Sequence, residues 1–291
     1  MSRSPALGAT HEVDTAMGRI RYRDTGGAGE PIVFVHGLFV NGDLWRKAVP
    51  LLEARHRCIA PDWPLGSHEL GMDPGADLSL PGLAALVDAF LAALDLESVT
   101  LVGNDTGGAI TQLVLLNHPE RVARAVITPC DAFDNFPPKV LLHLKWLGRF
   151  RAMTWTMGQA LRLRLVQRLP LAFGWATIRP IDREAADSYG APTRTSAAVR
   201  RDFAAAARAI DKRHTQEAAA QLDRVRVPVL VAWSRHDRLF PMAHGRRLAE
   251  LIPGASFTVV EDSGAFVPED QPALLANAIT DFVTERQTAA N

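Results

Sequence analysis

The sequence predicts an α/β protein: a mostly parallel, doubly wound sheet with a block of helices inserted as a cap. Three observations predict it. Short continuous apolar runs, of the kind a strand buried on both faces requires, alternate with helix-patterned segments. One run ends in a Gly-rich turn, Gly103-Asn-Asp-Thr-Gly-Gly108, that feeds directly into a helix pattern. Between about residues 131 and 217 the strand-like runs stop, and they resume afterwards.

Residues 11–16 and 19–23 flank Met17-Gly18 as a hairpin, which the turn cluster Gly26-Gly-Ala-Gly29 closes. Pro31-Ile-Val-Phe-Val35 is the first buried strand and Cys58-Ile-Ala60 the second. A helix pattern over 83–94 runs into a strand at 98–102. A helix over 109–117 follows the Gly-rich turn, with Ile110, Leu113 and Val114 on one stripe, and 122–128 is again a strand. The stretch rich in Arg, Leu and Ala that follows holds Trp146, Trp155 and Trp175, three of the six tryptophans. The alternation resumes with a strand at 227–233, a helix around 244–251, a strand at 256–260 and a closing helix over 272–285. Strand–helix–strand alternation implies right-handed crossovers and parallel neighbours. The expected division is a core of residues 1–130 and 217–291 and a helical cap of residues 131–216. Such a cap covers the carboxyl edge of the sheet, where α/β proteins place their sites.

Composition narrows the function class. At 291 residues and 47% hydrophobic, the chain can bury a large core without staples. Lys+Arg and Asp+Glu are equal at 32 each, which argues against nucleic acid or a membrane as partner. No apolar stretch reads as a signal peptide or approaches the ~20 residues needed to cross a bilayer, so a cytoplasmic location is expected. Cys58 and Cys130 sit in apolar runs and read as buried free thiols. No clustered Cys/His set and no dinucleotide fingerprint is present, so neither metal nor organic cofactor is implied. The expected partner is a small molecule, bound by a monomer or homodimer.

Gly103-Asn104-Asp105-Thr106-Gly107 fits a strand–turn–helix elbow with Asp105 at its apex. Small neighbours let the helix approach the strand, and the helix N-terminus favours negative charge. An aspartate is already ionised at neutral pH, unlike the usual serine. It suits attack on an sp3 carbon, leaving an ester that water must cleave.

These residues resemble the α/β-hydrolase superfamily, and within it the epoxide hydrolase and haloalkane dehalogenase branch. The resemblance rests on Val35-His-Gly-Leu38, Leu44-Trp-Arg46, Val102-Gly-Asn-Asp-Thr-Gly-Gly108 and His118-Pro-Glu-Arg-Val122. It continues through Val231-Ala-Trp-Ser-Arg-His-Asp237, Phe240-Pro241 and Phe266-Val-Pro-Glu-Asp-Gln-Pro272. It implies the α/β-hydrolase fold, with Asp105 as nucleophile and the backbone N–H groups of Leu38 and Thr106 as oxyanion hole. Asp237 is then the acid, with Asp131 the alternative and Asp134 beside it. His36 reads as a structural loop residue. The family's histidine falls on Ala265, within Glu261-Asp-Ser-Gly-Ala-Phe-Val-Pro268, and no histidine follows His244. Three explanations stay open: an inactive or trapped variant, a catalyst that uses Asp105 as a base, or substitution by another histidine such as His68 or His236. Thr106 and Leu38 occupy the places of the usual halide donors, which disfavours dehalogenation. An epoxide-type electrophile is the primary expectation, with hydrolysis impaired. A lyase, isomerase or cyclase and a ligand-binding pseudoenzyme are the alternatives. Tyr189, Trp155 and Phe133 are the candidate pocket residues, with Phe136, Trp146 and Phe173 as further wall or cap core. Arg162, Arg164 and Arg168 read as a solvated face.

Overall fold

In the computed structural model, which describes residues 3–147 and 149–290, eight strands form one sheet. They are β1 (Ala9–Thr15), β2 (Gly18–Asp24), β3 (Pro31–Val35), β4 (Arg57–Pro61), β5 (Val99–Asp105), β6 (Val122–Cys130), β7 (Val229–Ser234) and β8 (Ser256–Val260). The order is β1-β2-β4-β3-β5-β6-β7-β8. The hairpin β1–β2 is antiparallel, and β2 meets β4 antiparallel; every later pairing is parallel. β5 and β7 are buried along their whole length and β3 at all but its first residue, as strands covered on both faces are.

Two helices fix the sheet's carboxyl edge. Leu80–Ala93 starts where Ser79 accepts a hydrogen bond from the Gly82 N–H, with Pro81 in the first turn. Thr106–Asn117 follows β5 with no intervening residue and is buried from Thr106 through Leu115. Its approach needs glycines. A Cβ on Gly107 would lie 2.0 Å from the Val35 carbonyl oxygen, and one on Gly108 would lie 2.3 Å from the Cys130 Cβ. Cys58 and Cys130 are buried free thiols on separate strands.

Between β6 and β7 the described elements are helical. Leu142–Leu147, Arg151–Ala160, Arg183–Thr195, Ala197–Ala209 and Lys212–Ala219 are the principal ones. The expected boundary at residue 217 falls inside the helix Lys212–Ala219, so the helical block runs a few residues further and β7 begins at Val229 rather than 227. A turn of helix is favoured over an early strand there because Thr215, at its centre, is buried and donates to the Phe133 carbonyl at 2.7 Å.

A buried clamp joins the helical block to the sheet. Arg3 donates to the Asp62 carboxylate at 2.8 Å, to the Ser67 carbonyl at 2.7 Å and to the Ser188 carbonyl at 3.2 Å. Asp62 also accepts from the Gly42 N–H, so both charges have several partners, without which their burial would be costly. Among the described residues no helix is long and apolar enough to cross a membrane.

Gly107→Ala tests the close approach of helix and sheet. Overpacking against the β3 backbone is expected to lower stability by roughly 1–3 kcal/mol or more, read as a lower urea midpoint.

Candidate active site

Asp105 ends β5 at φ 58°, ψ −133°, a conformation that L residues rarely adopt. The turn throws its side chain out over the sheet edge. Its Oδ1 accepts from the Leu38 N–H at 3.1 Å and from the Thr106 N–H at 2.7 Å. Oδ2 is left for the cavity that Asp105 helps to line. Gly37 makes room: a Cβ there would sit 1.9 Å from the same Oδ1. Asn104, beneath the turn, donates to the Thr128 hydroxyl at 2.8 Å and to the Ala265 carbonyl at 2.7 Å, bracing the elbow against β6 and the loop after β8.

Two further carboxyl groups stand near. Asp131 follows β6 and accepts from the Thr106 hydroxyl at 2.8 Å through Oδ2, while its buried Oδ1 has no partner. Burial and then the charge of Asp105 push its carboxyl well above the usual carboxylate range. Asp105 is also raised by burial, against two opposing N–H bonds. Of the pair, Asp131 is the one that keeps a proton, because Asp105 alone has backbone donors for its charge. Asp237 follows β7, and its Oδ1 accepts from the Leu239 and Phe240 N–H groups at 2.7 and 2.9 Å. Its Oδ2 is buried without a partner, and burial lifts the group to about 7. Ala265, fully buried, stands in the loop after β8. Leu239 and Phe266, neighbours of Asp237 and Ala265, both line the cavity, so the two loops meet at its floor.

The histidines sort by their partners. His36 is buried; its Nε2 accepts from the Trp63 N–H at 2.9 Å, so Nδ1 carries the proton to the Gly37 carbonyl at 2.9 Å. Burial holds it down at about 4, a neutral brace for the loop that carries Gly37 and Leu38. His68 is buried against Asp202, with Nε2 3.2 Å from Oδ2, and is not on the cavity wall. His236 is exposed. His143 does line the cavity, with Nδ1 held by the Val140 carbonyl at 3.1 Å. Sequence reasoning passed over it. Its signal is a lone imidazole inside Val140-Leu-Leu-His-Leu144, an otherwise apolar stretch.

The cavity has a volume of about 240 Å³. Its wall is apolar, with Leu144, Leu161, Leu169 and Phe173 from the helical block, and its polar groups are Asp105, Thr106, Asp131 and His143. Three expected pocket residues lie elsewhere, and each correction has a cause. Tyr189 is fully buried and donates to Glu269 Oε1 at 3.2 Å, a partner that holds it in the packing behind the cavity. Trp155 is 45% exposed on the outside of the helix Arg151–Ala160. Phe133 packs under the Arg247 guanidinium, 4.3 Å from its ring centre, and against His244. Asp134 is exposed away from Asp105, and Trp146 is 61% exposed, whereas Phe173 belongs to the wall.

An eight-stranded sheet of this order, a strained aspartate elbow against two N–H donors and an acid after β7 define a hydrolase-type α/β architecture. Residues 30–272 match the alpha/beta hydrolase fold family, and the chain belongs to it. An uncharacterised hydrolase of Bacillus subtilis, YugF, is 29% identical over 87% of this chain and 90% of its own length. A cis-3-alkyl-4-alkyloxetan-2-one decarboxylase of Shewanella oneidensis is 28% identical over 91% of this chain and 85% of its own. Among solved structures, the epoxide hydrolase CorEH superposes with a TM-score of 0.78 at 21% identity, covering 95% of this chain and 99% of that one, a likeness of fold.

Asp237 carries a pH signature. Its folded value of about 7 lies above the roughly 3.9 of an unfolded aspartate, so its contribution to stability is complete below pH ~4 and is lost as pH rises through 7. Asp237→Asn is expected to shrink the fall in urea midpoint between pH 5 and pH 8. An unchanged fall would assign that dependence to other groups.

Proposed function

We propose that this protein is an α/β-hydrolase-fold enzyme in which Asp105 attacks a strained-ring electrophile on a small, largely apolar molecule. The ester it forms is cleaved slowly. One observation carries the reading: Asp105 Oδ1 already sits between the Leu38 and Thr106 N–H groups. When Oδ2 is alkylated, Oδ1 becomes the ester carbonyl oxygen, and those donors are aimed where charge develops as water adds.

For an epoxide the first step is balanced within the cavity. Oδ2 forms a bond to a ring carbon as the carbon–oxygen bond breaks, and the released electron pair takes the proton held by Asp131. The products are a hydroxyalkyl ester on Asp105 and an Asp131 carboxylate. In this reading Asp131, rather than a tyrosine, is the proton donor, supported by its raised carboxyl and its place on the wall. In the second step water adds to the Asp105 carbonyl carbon, the alcohol leaves with one of the water's protons, and the other returns to the Asp131 carboxylate. The orphaned Oδ2 of Asp237 and the buried methyl of Ala265 are what a triad without its imidazole leaves behind. Positioned acid–base catalysis is worth about 10²–10⁴-fold, so the ester should accumulate. The Shewanella relative is named for a four-membered lactone, which makes β-lactones a second probe class beside epoxides.

The test is intact-mass spectrometry after incubation with apolar epoxides and β-lactones. The expected result is one equivalent of adduct mapped to Asp105, absent in Asp105→Asn and formed roughly 10²-fold or more slowly from epoxides in Asp131→Asn. Ala265→His should shorten the adduct's lifetime. Turnover that Asp105→Asn abolishes, with no covalent species at any time, would overturn the nucleophile and favour Asp105 as a base in a lyase or isomerase.

A further inference from the structure

We propose that the outer surface of the helical block docks on an anionic lipid bilayer. The equal totals of 32 basic and 32 acidic residues conceal a segregation. Residues 135–181 contain eight Lys and Arg, from Lys139 to Arg179, and no Asp or Glu, which leaves 24 basic against 32 acidic elsewhere. None of these eight makes an ion pair among the described residues, although Arg side chains elsewhere do so repeatedly.

The same segment carries the exposed apolar surface. Of the twelve exposed large hydrophobic residues described, ten lie between Leu142 and Ile178. Trp146 is 61% exposed, Phe150 62% and Leu165 77%. Leu142 and Trp146 are one turn apart on the helix Leu142–Leu147. Large apolar side chains left in solvent along one segment point to an interaction site, and Leu169 and Leu171 among them also line the cavity. Aromatic side chains mixed with Lys and Arg suit the boundary between acyl chains and charged headgroups, where both needs are met at once.

Charge decides between a bilayer and a second copy of this chain. Two copies related by a twofold axis through this segment would bring two acid-free stretches together, adding cations to cations. An anionic leaflet supplies the missing charge, and each basic side chain near it improves partitioning by roughly fivefold. The surface also backs the cavity, because Leu144, Leu161 and Leu169 of the same segment form its wall. A molecule dissolved in the bilayer therefore meets the protein on the side through which the cavity is built. This placement needs no commitment on the chemistry at Asp105.

Vesicle sedimentation tests the proposal with the full-length protein. Phosphatidylcholine vesicles containing 30% phosphatidylglycerol are compared with pure phosphatidylcholine, at low salt and at 0.5 M NaCl. Binding is expected to the anionic vesicles only, weakened at least tenfold by salt. Arg162→Glu/Arg164→Glu/Arg168→Glu, on exposed positions, is expected to weaken it roughly 100-fold or more. Trp146→Ser/Phe150→Ser should lower it and reduce the blue shift of tryptophan emission. Circular dichroism and adduct formation with a water-soluble epoxide should stay at parent values in both variants. Equal binding to neutral vesicles, or none to either, would overturn the proposal. So would self-association in analytical ultracentrifugation that the same variants abolish while vesicles are ignored.

Discussion

The backbone of Asp105 is the constraint on which the site depends. A non-glycine residue at φ 58°, ψ −133° is held there only if its surroundings over-determine it. Here they do: β5 ends on one side, a buried helix begins on the other, and Gly37, Gly103, Gly107 and Gly108 let backbone approach from three directions. A side chain on any of them would collide with its neighbours at 2.8 Å or less. The strain is not local ornament. It sets Oδ1 against two N–H groups, one at the start of the helix after β5 and one in the loop after β3.

A second constraint is electrostatic. Asp105 and Asp131 line an apolar cavity with no Lys or Arg on its wall among the described residues, and Asp237 is buried beside Leu239, which lines it too. Low dielectric makes each charge expensive and makes each one felt by the others. Burial therefore raises all three, against two opposing backbone N–H bonds at Asp105 and two at Asp237 and none at Asp131, which is raised well above the usual range. Elbow strain and buried carboxyl groups are both costs to stability, and both are concentrated within reach of one cavity.

Much of this was legible in the sequence, because it depends on local spacing. The elbow, the buried strands and Asp237 after β7 follow from residues a few positions apart. His36 read as structural, and its two bonds agree. The strand ends moved by only one to three residues at most positions. What could not be read was which face of each cap helix looks inward. Trp155 and Phe173 are both aromatic residues in similar surroundings, yet one is outside and the other is wall. Tyr189 was drawn away by Glu269, a partner 80 residues along the chain. The balanced totals leave open where the charges sit, and eight basic residues without an acidic one fall between residues 135 and 181.

The clamp around Arg3 has a consequence for how the molecule comes together. Its guanidinium takes partners at residues 62, 67 and 188, so the clamp is complete only when residues 185 positions apart have met. Long-range contacts of this kind form late because the loop must be closed before they reward it. The roof of the cavity is thus latched across a long loop rather than by its neighbours in sequence.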